Sequence, residues 1–439
     1  MKPFRYWLRL LGTFILRFKL FIGIGLVGGV LAFLFIGFVF PLVFSGGTKE
    51  IIGITGRHHP SELPRPILEK IGQGLTGFDE TGRVVPGLAA RWEEEDGKIW
   101  NFYLDGSQWH DGTKVQSHDI KYNFEGVEVS YPDALTVRFT LETPFAPFPS
   151  AVSRPVFKSG LLGTGEWEVS SIELTSSGFV ETLELINFKK EREVIKFFPT
   201  EERTKLAFKL GQVDRIIELL SPEPFDRWNT VSITQSINKD RYVGIFFNNE
   251  SEFFSGKNLR QALSYSIDKD LFGQRALGPI SPNSWSYNPQ VKPYEYDMER
   301  AGSLFEEIPA EMRENLHIVL KTVQVLLPQA ERVAQQWREL GIEVTVSAQA
   351  GIPTEFDAFM AIFDIPKDPD QYSMWHSSQE ITNIANYSNP RIDKLLEDGR
   401  LELDFEKRKK IYLDFQRFLL EDAPAVFMYH PVSYDIARR

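Results

Sequence analysis

The 439-residue chain contains no cysteine. That absence excludes disulfides, thiolate zinc sites, iron–sulfur clusters, cysteine nucleophiles and a lipid-bearing cysteine. Several catalytic signatures are missing as well: no G-x-S-x-G, no H-E-x-x-H and no phosphate-binding P-loop. Acidic residues are absent from positions 1–44, which hold Lys2, Arg5, Arg9, Arg17 and Lys19. With that +5 set aside from a formal charge of −11, the other 395 residues carry −16. A body so acidic repels phosphate backbones, so nucleic acid is not an expected partner. An aromatic content of 13% and a charged content of 25% describe a folded protein, with length for two or three domains.

What is present at the N-terminus is a run of 25 residues without a charged side chain, positions 20–44. As a helix it spans about 37 Å, enough to cross a hydrocarbon layer of about 30 Å with some tilt. It is too long for the apolar core of a cleaved signal peptide, and no small-x-small site follows it. The basic residues lie on its N-terminal side, so residues 1–19 are expected in the cytoplasm and everything after Ser45 outside. The run reads as an uncleaved signal anchor of a single-pass cell-membrane protein. Gly23, Gly25 and Gly28 match the spacing of a dinucleotide fingerprint, but no strand precedes them and the surroundings are apolar. Gly25 and Gly29 form a G-x-x-x-G pair, for which ordinary glycine usage in a membrane helix is the simpler account.

After the short polar stretch 45–49, residues 51–55 read as a strand, and residues 67–73 as a short helix behind Pro60, Pro64 and Pro66. Residues 99–104 and 135–141 read as strands, the second by strict alternation. A helix is expected over 117–124 with Ser117 as its cap. Beyond about residue 200 helices and strands alternate. Leu206 and Leu210 belong to a helix closed by Gly211, and 242–248 is an apolar strand. Residues 317–323, 329–340 and 342–347 form a strand–helix–strand unit, which implies parallel pairing. Residues 356–363 add a strand. Residues 405–421 form a long amphipathic helix with Ile411, Phe415, Phe418 and Leu419 inward.

Chemistry-bearing residues are scattered. Ser266-Ile267-Asp268-Lys269 matches S-x-x-K, yet no S-D-N or K-T-G follows and it lies on a helical face. His110-Asp111 and His118-Asp119 are imidazole–carboxylate pairs to which turn and helix-start roles fit best. Asp364, Asp368 and Asp370 offer oxygens for a cation but lack an EF-hand's glycine and terminal glutamate. Nothing assembles a nucleophile, base and oxyanion donor, so neither an enzyme nor a cofactor is expected.

A series of segments in order resembles the family 5 extracellular solute-binding proteins, the peptide- and nickel-type receptors of bacterial ABC importers. They begin with Pro86-Gly87-Leu88-Ala89-Ala90-Arg91-Trp92, Asp96-Gly97-Lys98-Ile99-Trp100-Asn101-Phe102 and Trp109-His110-Asp111-Gly112, continuing to His118-Asp119-Ile120. Phe208-Lys209-Leu210-Gly211-Gln212-Val213-Asp214 and Leu259-Arg260-Gln261-Ala262-Leu263-Ser264-Tyr265-Ser266-Ile267-Asp268-Lys269 follow. The helix 330–340 with Gly341-Ile342-Glu343-Val344, then Tyr387-Ser388-Asn389-Pro390-Arg391-Ile392-Asp393-Lys394-Leu395, and 408–412 with Ala423-Pro424 complete the set.

The resemblance implies an α/β, two-lobe, periplasmic-binding-protein-like fold with mixed sheets. It also implies a solute handed to membrane permease subunits driven by cytoplasmic ATPases, and no catalysis. Lobe I is expected over 45–240 and lobe II over 241–424, with 425–439 returning toward lobe I. The stretch 124–135 is shorter than the family usually has, which predicts a reduced β-rich accessory subdomain over about 78–150. The end at Arg439, soon after a strand at 425–430, comes without the family's usual return segment, which predicts either fewer crossings between the lobes or a terminus of another form. Loops at strand ends supply candidate ligand contacts: His59, Trp167, Asn248, Trp285, Tyr287, Phe363, Asp364, Asp368, Tyr372 and Trp375. Peptide-binding members hold the ligand's amino group with an aspartate about four residues before an Asp-Pro. Against Asp368-Pro369, Asp364 supplies that carboxylate with a one-residue shift. A peptide or similar small organic solute is the expected ligand, with a tethered sensor or assembly protein on the same fold as the alternative.

Overall fold

The computed structural model describes residues 4–35 and 49–439. The helix Phe4–Leu34 opens the chain, and its stretch Leu16–Leu34 is long and apolar enough to cross a membrane, with none of it buried against the rest of the protein. The remainder of the predicted anchor, 36–44, and the polar stretch 45–48 lie outside the described residues.

Lobe I is built on a seven-stranded mixed sheet in the order Val231–Ile237, Val432–Arg438, Arg215–Leu219, Lys49–Thr55, Arg192–Phe198, Val180–Asn187, Trp167–Leu174. The strand Lys49–Thr55 lies at its centre, parallel to both neighbours. A four-stranded antiparallel sheet, Ala89–Glu95, Ile99–Leu104, Thr136–Leu141 and Val127–Asp133 in spatial order, forms the accessory subdomain. Its strand Ile99–Leu104 alternates half-buried and buried positions, so Trp100, Phe102 and Leu104 fill one core with Phe139 and Phe148. Lobe II carries a five-stranded sheet ordered Glu343–Ala348, His317–Thr322, Ala358–Asp364, Arg241–Phe247, Ala425–Tyr429.

The strand–helix–strand unit takes the form its periodicity implies. His317–Thr322 and Glu343–Ala348 pair in parallel from His317 opposite Glu343 onward. The crossover helix Leu327–Glu339 buries Ala330, Val333, Ala334 and Trp337, one apolar stripe at helical spacing. Gly341, at φ +84, turns the chain into the second strand. Two expectations are corrected. The helix expected over 117–124 is a single 3-10 turn, Ser117–Asp119. The Asp119 carboxylate accepts from the Gln116 amide at 3.0 Å and the Trp109 indole at 3.1 Å, so Gln116 is the cap and the turn is tied to the accessory core. Nor is the return segment missing: after Ala425–Tyr429 in lobe II the chain crosses back, and Val432–Arg438 enters lobe I between Arg215–Leu219 and Val231–Ile237.

The lobes are therefore joined by two crossings, 238–240 and 430–431, lying side by side. The Asn238 amide donates to the Pro431 carbonyl at 3.0 Å, and His430 Nδ1 lies 2.7 Å from the Arg241 carbonyl, to which its neutral tautomer donates. Burial holds the His430 imidazole below its ordinary 6.5, aided by Lys239 and opposed by the Arg241 carbonyl and Asp240. Below 6.5 the unfolded chain then binds a proton the folded chain refuses, so this residue's contribution is present above that pH and is lost as pH falls beneath it. The melting temperature of the wild type should drop on acidification from about pH 7 to about pH 5.5, and that of His430→Gln should drop measurably less. Parallel pH profiles in thermal denaturation would remove this role from His430.

Candidate functional site

The two lobes meet across a cleft with two compartments. One, of about 510 Å³, lies over the lobe I strands beside the crossings, where Asn283 reaches it from lobe II. Ile52, Ile54 and Ile67 give it an apolar floor, while Lys70, Glu193 and Arg215 bring charge to the wall. The Lys70 ammonium bonds both Glu193 oxygens at 2.5 and 2.7 Å, and Arg215 bonds Asp435 at 2.7 Å. Lys70 and Arg215 are therefore held as oriented cations, each beside a fixed carboxylate.

The second compartment, of about 390 Å³, is aromatic and lies between the accessory sheet and lobe II. Trp92 and Trp100 come from the accessory sheet; Trp285 and Phe405 come from lobe II, with ring centroids 4.6 Å apart. Arg408 and Asp368 form a bidentate pair at 2.6 and 3.0 Å with side chains only 10% and 11% exposed. Burial pulls the Arg408 guanidinium down more than any other single influence, but the charge and hydrogen bonds of Asp368, together with Tyr412, outweigh it and hold the group above its usual range. The lobes touch at this pair: Ser150 of the accessory subdomain donates to Asp368 at 3.0 Å. Backbone bonds flank it, from the Ala146 amide to the Arg400 carbonyl at 2.7 Å and from the Trp285 amide to the Thr81 carbonyl at 2.9 Å.

Of the residues singled out in the sequence, Trp285 and Asp368 stand together in the aromatic compartment. Tyr372 lies behind it, under the Arg400 guanidinium at 3.8 Å and stacked on His376 at 4.0 Å. Trp167 backs the charged compartment through Lys70, whose ammonium is 5.6 Å from its ring. Tyr287 is half-buried on the Trp285 loop, and burial raises its phenol. Asp364 is exposed at the crossing end of its strand, its carboxylate taken by Arg241 at 2.5 Å.

Other residues are placed elsewhere. Trp375 has no exposed surface and stacks on Phe246 at 5.4 Å, and Phe363 packs on Tyr242 and Phe246, so both belong to the lobe II core. Asn248 sits at the opposite end of its strand from the crossings and accepts from Asn386 at 3.0 Å. His59 packs on Phe179 at 4.3 Å and donates through Nδ1 to the Gly178 carbonyl at 3.1 Å. The Gly163–Trp167 loop owes its glycines to backbone packing: a Cβ on Gly165 would meet the Lys70 carbonyl at 2.2 Å. Asp364, Asp368 and Asp370 do not converge on a cation, because each takes its own arginine, Arg241, Arg408 and Arg400. Among the described residues no three His, Asp or Glu side chains form a metal site.

Arg408, Phe405, Lys70 and Glu193 were not among the residues singled out. Arg408 carried a readable signal, a charge on the same helical face as Tyr412, Phe415 and Leu419, all buried. A cation on the apolar stripe of a helix requires a buried partner. Lys70 and Glu193 carried none, since 123 residues separate them.

Comparison with known proteins agrees with this architecture. A model of the bacterial extracellular solute-binding proteins, family 5 middle, matches residues 83–178 and 186–383. The probable D,D-dipeptide-binding periplasmic protein DdpA of Escherichia coli is 24% identical, over 85% of this chain and 84% of its own. The dipeptide-binding protein of the same organism is 23% identical over 91% and 88%. Among solved structures, NikZ from Campylobacter jejuni in complex with Ni(L-His) superposes with a TM-score of 0.73 at 22% identity, covering 89% of this chain and 94% of that one. The oligopeptide-binding protein AppA from Bacillus subtilis with a nonapeptide gives 0.69 at 20%, covering 90% and 95%. With two lobes joined by paired crossings, a cleft between them and a family match over most of its length, the chain belongs to the bacterial extracellular solute-binding proteins of family 5.

Proposed function

We propose that this solute-binding protein is an anchored receptor for an ABC importer, taking a peptide or similarly sized organic solute between its lobes. The observation that carries the reading is the paired make-up of the cleft, with oriented Lys70 and Arg215 beside fixed carboxylates in one compartment and the partly exposed Trp92 and Trp285 in the other. A zwitterionic chain with apolar side groups needs both: charges for its ends and ring faces for its body. The dipeptide- and oligopeptide-binding relatives support the same class. The apolar stretch Leu16–Leu34, with Lys2, Arg5 and Arg9 ahead of it, supports anchoring with the lobes outside the cell. Delivery would run to permease subunits with cytoplasmic ATPases.

A non-catalytic role is supported by how the S-x-x-K residues are used. Ser266 Oγ donates to the Leu263 carbonyl at 3.0 Å, and Lys269 Nζ to the carbonyls of Ser264 at 2.5 Å and Tyr294 at 2.7 Å. Both are spent on the backbone.

The test is native mass spectrometry of the full-length protein for co-purified solute, followed by thermal-shift panels of peptides, amino acids, sugars and metal chelates. A peptide should raise the melting temperature, and Trp285→Ala should weaken its binding about tenfold by calorimetry. No ligand and no shift across the panels would sink the receptor reading. Asp368→Asn should lower the unfolding free energy by about 3 kcal/mol, because it strands the buried Arg408 charge. A denaturant midpoint equal to the wild type would show that the pair contributes nothing.

A further inference from the structure

The rim of lobe I nearest the N-terminal helix has a character unlike the acidic body. The strand Lys49–Thr55 begins there, five Cα–Cα steps after Phe44, the last residue of the apolar run. Fully extended, those steps reach about 18 Å, so this rim cannot stand far from where the run ends. The pairing register brings other segments to the same rim. Lys49 lies opposite Arg192 in a parallel pair, so the turn 188–190 just before Arg192 projects past the sheet at this end. The strand Val432–Arg438 runs antiparallel to Arg215–Leu219, which delivers Arg438 and Arg439 here too, and the Arg438 amide donates to the Asp214 carbonyl at 3.2 Å. The helix Glu201–Lys209 also ends here, where Gly211 approaches Arg438.

The turn is built to present Phe188. Asn187 Oδ1 accepts from the amides of Lys189 and Glu191, both at 3.0 Å, which holds the tip in one conformation. Phe188 is 74% exposed at its apex and Leu210 is 64% exposed on the same rim. Lys189 Nζ lies 5.5 Å from the Phe188 ring, and Lys49, Lys189, Lys190 and Lys209 are in no ion pair among the described residues. The rim's carboxylates Glu191, Asp214 and Glu50 keep their charge but are held by Asn187, the Ile51 amide and Arg215, and leave the four lysines unpaired. An aromatic apex flanked by lysines, in a chain whose soluble part is −16, matches the boundary between acyl chains and anionic headgroups.

We propose that this rim is a membrane-docking surface, with Phe188 seated at the headgroup boundary and Lys189 and Lys190 on anionic phospholipid. The proposal rests on the anchor reading above. Docking would hold lobe I against the bilayer and leave lobe II as the part that moves during opening and closure.

The cysteine-free chain allows a direct test. Full-length Phe188→Cys and Ile381→Cys, the latter at a 93% exposed position of lobe II, are labelled with an environment-sensitive fluorophore and placed in phosphatidylcholine nanodiscs containing phosphatidylglycerol. Spin-labelled lipid should quench the 188 probe at least about twofold more than the 381 probe. Lys189→Ala with Lys190→Ala, or high salt, should remove at least about half of that difference. Equal quenching at the two positions, with the protein retained in the discs, would overturn the proposal alone. Escape of the protein from the discs would overturn the anchor reading and the proposal together. Protection of the 188 probe by a reconstituted permease without lipid quenching would assign the rim to a protein partner and overturn the lipid proposal.

Discussion

The structure depends on the C-terminal strand Val432–Arg438, which hydrogen-bonds to two lobe I strands at once. Without it, Arg215–Leu219 and Val231–Ile237 would both present unpaired backbone groups, and Ile436, fully buried in their shared core, would leave a gap. The same segment sets how the lobes relate. It arrives directly from the lobe II strand Ala425–Tyr429, through His430 and Pro431, so the second crossing is pinned between two sheets. Lobe I is thus completed by the last residues of a chain that began it at Lys49.

From that arrangement the cleft follows. Two short crossings place the end of the Arg241–Phe247 strand close to lobe I and direct the loops after Ala358–Asp364 toward the accessory subdomain. The buried Arg408–Asp368 pair and its Ser150 donor close the other side. A charge pair in such a place is weak as a source of net stability but strict about geometry, because one partner without the other is a stranded charge. The aromatic compartment is framed by that pair, and the charged compartment by the crossings. Residues that line each compartment are therefore also residues that join the lobes.

Local elements were legible because they follow from short-range pattern. The alternation of the strand at 135–141 and the stripe of Val333, Ala334 and Trp337 appear in the structure as a half-buried strand and a core-facing helix. The helix expected near Ser117 stops after one turn because tertiary partners outcompeted propensity: Ser117 is committed to the Asp133 and Ala134 carbonyls, and Asp119 accepts from the Trp109 indole. Aromatic identity did not separate core from cleft. Trp285 and Trp375 look alike in sequence, yet one lies across from Thr81 of the other lobe and the other is sealed against Phe246.

The sequence by itself determined the apolar N-terminal run, the charge asymmetry, the alternating α/β texture and, through motifs in order, the family. These are properties of neighbouring residues, or of local segments that hold their order along the chain. Only the tertiary structure decided which carboxylate meets which arginine, since Asp368 and Arg408 are 40 residues apart and Ser150 and Asp368 are 218 apart. It also decided that the C-terminus belongs to lobe I, and that Lys49, Phe188 and Arg439 share one rim. Those outcomes depend on strand register and lobe packing, which arise from the whole chain closing on itself and have no signature in any short stretch.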